Sequence, residues 1–108
     1  MRQYRVDYRP EISDDVQAIY EYIVEEKHNK FAADKFVTKI IDEMESLKIA
    51  PMRGRIVGSD KRTNLDIRYI TYHNYGVCFE VDDKANVVTV VAVTYARRNI
   101  ASLLRGRL

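Results

Sequence analysis

The residues of this sequence best suited to chemistry are its basic side chains, which are concentrated in the second half of the chain. Residues 11–45 contain ten acids and only four lysines. From residue 48 to the C-terminus the bias is reversed, with eleven lysines and arginines against five acids. The arginines of this second segment are Arg53, Arg55, Arg62, Arg68, Arg97, Arg98, Arg105 and Arg107. Such segregation predicts a face for an anionic partner, and a solvated surface that carries both signs is the alternative.

The sequence provides few ligands for a metal ion. It has two histidines and one cysteine, and their spacing matches no metal-binding pattern. We therefore expect no metal and no cofactor. Cys78 stands inside an apolar stretch without a second cysteine to pair with, which predicts a buried thiol and agrees with a reducing compartment.

Length and composition predict one small domain, residues 1–108, that docks onto another macromolecule. With 46% apolar and 31% charged residues, the chain has enough core material for a globular fold and too much for a disordered one. No apolar run approaches the roughly 20 residues that a membrane span requires. The N-terminus enters an alternating pattern directly, without a signal peptide, so we expect a cytoplasmic protein that has no membrane partner.

Two helices are predicted in the acidic segment. Ser13 is a suitable N-cap for the first, which carries apolar residues at helical spacing and should end near residues 28–29. The second begins at Phe31, and Pro51 ends it. Its predicted buried positions are Phe31, Ala33, Phe36, Val37, Ile40, Ile41, Met44 and Leu47. The connection at 27–30 is so short that the two helices should pair as an antiparallel hairpin.

Short runs rich in β-branched and aromatic residues predict four strands. The first, at 4–9, alternates apolar and polar side chains. The others are 65–72, 75–81 and 87–94. Brief turns at 73–74 and 82–86 join these three into an antiparallel meander. Residues 52–64 contain two glycines and several charges and are predicted to form a loop, and a short helix is expected at 100–104.

This element order, β-α-α-β-β-β, predicts an α+β fold in which the helical hairpin packs on one face of a small antiparallel sheet. The other face is then free to be solvated or used. On the strand 65–72, alternation places Arg68 on the open face. On the next strand, Phe79 points to the core, and Cys78 and Glu80 lie opposite.

Five segments of the chain follow one another in a distinctive order. They are DVQAIYEYI at 15–23, AADKF at 32–36, LKIAPMRGR at 47–55, NYGVCFEVD at 74–82 and VTYARR at 93–98. Together they resemble the RelE/ParE superfamily, the toxins of bacterial type II toxin–antitoxin pairs, which include the plasmid stabilisation family. The resemblance covers almost the whole chain.

The resemblance implies one fold and two modes of action. RelE-like members enter the ribosomal A site and cleave mRNA, whereas ParE-like members poison DNA gyrase. Both are neutralised by a cognate antitoxin that wraps a segment around the toxin, so a toxin–antitoxin hetero-oligomer is expected. A third alternative is a toxin-like scaffold that has lost its activity and still binds an antitoxin.

A RelE-like member would be a metal-independent endoribonuclease. Such a reaction requires a cation beside the phosphate, a group that takes the proton of the 2′-hydroxyl and a group that protonates the leaving oxygen. The resemblance implies Arg68 and Arg97 as the catalytic cations, with Arg55 and Arg98 added to a target-binding surface. The alternative for the Arg97-Arg98 pair is a solvated strand terminus.

The proton-transfer set of such a nuclease is incomplete in this chain. Its candidates are His73, Tyr95, Tyr72 and Glu80. Each also has a structural interpretation, as a solvated turn residue, a packing residue or, for Glu80, a partner of Arg68 across the strands. Many RelE-like members carry an arginine where this chain has Gly76, and the tail 100–108 lacks the tyrosine or histidine often found there. We therefore predict a ParE-like toxin that acts on gyrase, with the mRNA endonuclease as the alternative.

Overall fold

The structure is a computed structural model that describes residues 2–95 and 100–108. Its elements are β1 (Arg5–Tyr8), α1 (Glu11–Lys27), α2 (Lys30–Glu45), a 3-10 turn (Ser46–Lys48), β2 (Arg55–Asp60), β3 (Leu65–Tyr72), β4 (Tyr75–Asp82), β5 (Val87–Tyr95) and α3 (Ile100–Arg107). The predicted α+β class is confirmed, as is the helical hairpin on one face of the sheet. Within the described ranges, no helix has the length and apolar character needed to cross a membrane.

The five strands form one sheet in the order β1-β5-β4-β3-β2. β1 runs parallel to β5 and the other neighbours are antiparallel, so the sheet is mixed and not wholly antiparallel. The segment predicted as a loop contains β2, which pairs with β3 and forms one edge of the sheet. Its register shifts between Ile56 and Gly58, at a bulge.

The first helix starts earlier than the sequence pattern indicates. α1 begins at Glu11, so the prediction of Ser13 as its N-cap is wrong. Pro10 occupies the capping position with a φ of −56°, which is already helical, and Ile12 N donates to Arg9 O at 3.0 Å. The proline ring therefore sets the helix entry without a side-chain cap.

The buried face of α2 is narrower than predicted. Its buried residues are Ala33, Phe36, Ile40 and Met44. These positions repeat every three or four residues and form the one stripe that faces the core. Phe31 is 78% exposed and Ile41 44% exposed, so their predicted burial is wrong.

The sheet carries a hydrophobic core on each of its faces. On the hairpin face, the side covered by α1 and α2, the core includes Ile19, Ile23, Phe36, Ile40, Val77, Phe79, Val88 and Val90. On the opposite side, the α3 face, the core comprises Ile67, Tyr69, Cys78, Val91, Ala92 and Leu104. The face predicted to be open is therefore covered in part by the C-terminal helix.

A polar clamp fastens α3 to α1 at the edge of β5. β1 pairs with β5 only as far as Val90, which leaves later backbone groups of β5 in need of other partners. Val93 N donates to Asp15 Oδ2 at 2.9 Å, and Arg107 Nη1 donates to Val91 O at 2.9 Å. Arg107 also binds both carboxylate oxygens of Asp15. One ion pair thus serves the strand edge and fixes the C-terminal helix.

Candidate functional site

A cationic groove lies where the chain enters β2. Gly54 has a φ of +80°, and a Cβ there would stand 2.4 Å from Tyr69 O, so the bend requires glycine. Arg55 then pairs with Tyr69 across the strands, and its guanidinium lies 5.3 Å from the ring centroid. Arg53 contacts Ser46 Oγ. The groove encloses about 520 Å³.

Arg53 and Arg55 both have guanidinium N–H groups that form no hydrogen bond within the described residues. Arg55 is exposed, and Arg53 Nε is buried without a hydrogen-bond partner in the part of the chain that the structure describes. The nearest carboxylate of Arg53 is that of Glu43, at 3.9 Å. The groove that these residues and Thr71 line is therefore suited to an anionic group of a partner. Sequence reasoning identified Arg55 and gave Arg53 no role.

Arg68 lies on the hairpin face, so its predicted position on the open face is wrong. It pairs with Phe79 of β4, which belongs to the core beneath α1 and α2. Directly opposite residues of an antiparallel pair share a face. Arg68 and Arg55 therefore stand on opposite faces of the β2–β3 edge, where Arg68 is half-buried beside Met52.

His73 directly follows the C-terminal end of β3, whereas Asp60 of β2 pairs with Leu65 at the N-terminal end of β3. It is exposed in the β3–β4 turn, with a φ of +53°, and its ring meets that of Tyr72 edge-on at 4.4 Å between centroids. The groove beside it is lined by residues of α1 and α2, not by Arg55. Arg97, Arg98 and the side chain of Tyr95 lie outside the described residues.

Tyr69 fills the α3 face above Gly76. A Cβ on Gly76 would lie 2.2 Å from the Tyr69 hydroxyl, so the ring occupies the space that any other residue at position 76 would need. The Tyr69 hydroxyl and Thr94 Oγ1, which faces Gly76 from β5, are both buried, and neither has a hydrogen-bond partner in the described residues. Burial raises the pKa of Tyr69.

Glu80 belongs to a buried charge cluster, so its structural interpretation as a partner of Arg68 is wrong. It is 3% exposed and accepts a hydrogen bond from Thr63 Oγ1 at 2.7 Å. Arg9 Nη2 lies 3.1 Å from Asp60 Oδ2 and 3.5 Å from Glu80 Oε2. This arrangement follows from the alternation on β4, which turns Glu80 away from the hairpin face and towards Arg9.

The two carboxyl groups of this cluster have pKa values shifted in opposite directions. Burial, and next its hydrogen bond to Asp60, raise the pKa of Glu80 to about 7. The same hydrogen bond lowers the pKa of Asp60, and the backbone amide of Arg62 lowers it as well. Because both carboxyls are inaccessible, the cluster is a structural element of the sheet and not a catalytic dyad.

Cys78 is fully buried, which confirms the prediction of a buried thiol. Burial raises its pKa to about 12, so the thiol is not a nucleophile at neutral pH. The ranges that the structure describes contain no group of three or more histidine, cysteine, aspartate or glutamate side chains arranged to hold a metal ion.

Comparison with known proteins gives one family match. A family model described as the ParE toxin of the type II toxin–antitoxin system parDE matches residues 6–100. No curated protein matches the chain significantly.

Solved structures share the fold at low sequence identity. A chain of the chromosomal ParDE TA system from P. aeruginosa is 17% identical, with a TM-score of 0.64 over 88% of this chain and 98% of that one. A chain of the RelE-RelB complex from Pyrococcus horikoshii OT3 is 16% identical, with a TM-score of 0.60 over 90% and 99%. A chain of the RelBE2 toxin-antitoxin complex from Mycobacterium tuberculosis is 12% identical, with a TM-score of 0.60 over 86% and 98%. At these identities the likeness is one of fold.

Proposed function

The chain belongs to the family of ParE toxins of type II toxin–antitoxin systems, and from this membership we propose that it arrests bacterial growth by poisoning DNA gyrase. A cognate antitoxin neutralises it in a toxin–antitoxin hetero-oligomer, as the ParDE and RelBE neighbours suggest by their names. Gyrase and antitoxin both reach it in the cytoplasm.

The packing of Tyr69 over Gly76 is the observation that favours gyrase over mRNA as the target. Cleavage of RNA without a metal requires a cation and proton-transfer groups around one phosphate. At Gly76, where many RelE-like members have an arginine, the α3 face holds a buried phenol. The remaining candidates are dispersed, since Arg55 and Arg68 lie on opposite faces and His73 lines a groove of its own. This dispersal disfavours a nuclease centre and leaves a binding surface.

The target-binding surface that we propose follows the β2–β3 edge. Arg55 presents its charge on one side of this edge and Arg68 on the other, at neighbouring positions of the pairing register. A partner that binds along this edge contacts both, and Arg97 and Arg98 remain target contacts that the resemblance alone implies. Tyr95 and His73, with Arg68 and Arg97, form the catalytic set only if the chain is an mRNA endonuclease.

The experiment compares the two targets with the same purified protein. The full chain is incubated with gyrase, ATP and supercoiled plasmid, and separately with a ribosomal translation reaction on a defined mRNA. We expect cleaved DNA to accumulate and the mRNA to stay intact. Cleavage of mRNA within ribosome-bound codons and intact plasmid would instead establish the endonuclease. Inactivity in both reactions would contradict the gyrase proposal and favour a toxin-like scaffold that has lost its activity.

Two variants locate the surface in the gyrase reaction. Arg55→Ala should reduce DNA cleavage about fivefold or more, because truncation of an interface arginine commonly costs over about 1 kcal/mol. Lys84→Ala is the matched control, since Lys84 is an exposed cation in the β4–β5 turn, outside this edge. Equal activity of the two variants would contradict the assignment of the β2–β3 edge.

A further inference from the structure

A second cationic groove lies at the junction of the helical hairpin and the β3–β4 turn, and we propose that it binds single-stranded nucleic acid. Its rim carries Lys27, Lys35 and Lys39, with Tyr72 and His73 on the strand side. We refer to these five residues as the lysine groove. Its cavity encloses about 250 Å³. The proposal is independent of gyrase and rests on the placement of these charges and rings.

The first support is the way in which the fold collects charge. The segment 11–45 is acidic overall and contains only four lysines. Three of them converge on this one groove, from the end of α1 and the middle of α2. The fourth, Lys30, is paired with Asp34 at 3.0 Å and lies outside the groove. The lysine groove is thus a cationic site on an otherwise acidic hairpin.

The second support is that these lysines have no ion-pair partner in the described residues and that two of them repel each other. Among the residues that the structure describes, no carboxylate forms an ion pair with Lys27, Lys35 or Lys39. Lys35 and Lys39 are four residues apart on α2 and therefore face each other. Like charges at this spacing destabilise a helix by about 0.2–0.5 kcal/mol. A bound polyanion removes this repulsion and supplies the missing counter-charges.

The third support is the aromatic side of the groove. Tyr72 and His73 meet edge-on, and the positive φ of His73 holds its exposed ring at the tip of the turn. Phe36 and Tyr75 form the floor, with ring centroids 4.5 Å apart. Cations that follow a backbone, together with rings on which a base can stack, are the combination that binds single strands. An acidic peptide would use the lysines and leave the exposed ring of His73 unused, which favours nucleic acid.

The test is fluorescence anisotropy with a labelled single-stranded oligonucleotide and the purified full chain. The measured quantity is the slope of a plot of the logarithm of the binding constant against the logarithm of the salt concentration. Each phosphate contact contributes about −0.7 to this slope, so three contacts predict about −2. The double variant K35A/K39A should reduce this slope to about −0.7. DNA and RNA versions of one sequence identify the sugar, and binding of either one supports the proposal.

Two further variants separate a built groove from diffuse charge. Lys30→Ala removes a cation of the same hairpin and should leave both affinity and slope unchanged. His73→Asn removes the ring while tolerating the positive φ, and it should weaken binding about fivefold or more through lost stacking. Circular dichroism checks that each variant is folded.

Three results would overturn the proposal. They are an equal loss of affinity in Lys30→Ala and K35A/K39A, unchanged affinity in His73→Asn, and competition by poly-glutamate as effective as that by the unlabelled strand. The last would assign the groove to an acidic protein segment. The oligonucleotide assay contains no gyrase, so a negative result in it leaves the gyrase proposal intact. A negative result with gyrase likewise does not affect the oligonucleotide assay.

Discussion

Replacing Glu80 with glutamine should remove a pH-dependent loss of stability that the buried charge cluster imposes. In the folded protein Glu80 is almost fully buried and faces Asp60, with Arg9 at 3.5 Å as the nearby cation. Arg9 is shared between the two carboxylates and Arg62 pairs with Asp60 alone, so an ionised Glu80 lacks a full counter-charge. The folded state therefore retains a proton on Glu80 where the unfolded chain has already released it. Glutamine keeps the shape of the side chain and cannot ionise.

The magnitude follows from the pKa of Glu80, which burial raises from its ordinary value of 4.5 to about 7. Each pKa unit corresponds to about 1.4 kcal/mol, so the difference amounts to about 3 kcal/mol. Because the folded pKa is the higher one, this stability is fully present below the unfolded pKa and is lost as the pH rises through 7. The pKa of Asp60 is lowered, so its contribution has the opposite sign and is lost only in more acidic solution.

Urea denaturation at about pH 5 and about pH 8 measures this difference as a change in the free energy of unfolding. We expect the wild type to lose about 2.5 kcal/mol between the two and Glu80→Gln to lose less than about 1 kcal/mol. Glu25→Gln, at an exposed position of α1, is the control and should behave as the wild type. Parallel pH profiles for wild type and Glu80→Gln would refute the raised pKa of Glu80.

Two further changes probe the α3 face and its attachment. Gly76→Ala should lower the free energy of unfolding, measured in urea, by about 1–3 kcal/mol, because the new Cβ overlaps a buried tyrosine hydroxyl. Gly58→Ala is the control and should be close to neutral, since its Cβ meets nothing within 4 Å. Equal effects of the two variants would contradict the overlap. Arg107→Ala should cost about 2 kcal/mol, since it leaves Asp15 largely buried without its bidentate partner. Arg105→Ala, exposed on the same helix, should stay within about 0.5 kcal/mol, and a similar loss in both would show that the clamp adds nothing.

The bounds of β3, β4 and β5 were predictable because turn residues separate short apolar runs. The predicted strands end within one residue of the observed ones. β2 was missed because it is an edge strand whose sequence, with Gly58 and several polar residues, lacks the alternation of a half-buried strand. Ser13 was misassigned because the fixed φ of Pro10 makes a side-chain cap unnecessary.

The position of Arg68 could have been deduced from the sequence. The turn between β3 and β4 has two residues, so Tyr72 faces Tyr75, and even-numbered residues of β3 oppose odd-numbered ones of β4. Once Phe79 is assigned to the core, Arg68 must share its face. When each strand is assigned by its own pattern, and the register is not followed through the turn, Arg68 is placed on the wrong face.

The charge cluster could not be read from local patterns. Arg9 and Asp60 are separated by 51 residues and meet only because both segments reach the α3 face. The lysine groove has the same origin, since its lysines come from the hairpin and its rings from the β3–β4 turn. In both cases the sequence shows the charges, and the topology decides which of them meet.

We propose that this chain acts on DNA through gyrase and not on ribosome-bound mRNA. The most direct measurement is to induce the chain in bacteria without its antitoxin and map, in one culture, chromosomal breaks held by gyrase and new mRNA 5′ ends. We expect gyrase-linked breaks soon after induction, with mRNA ends unchanged. New mRNA ends within codons, in the absence of such breaks, would contradict this proposal.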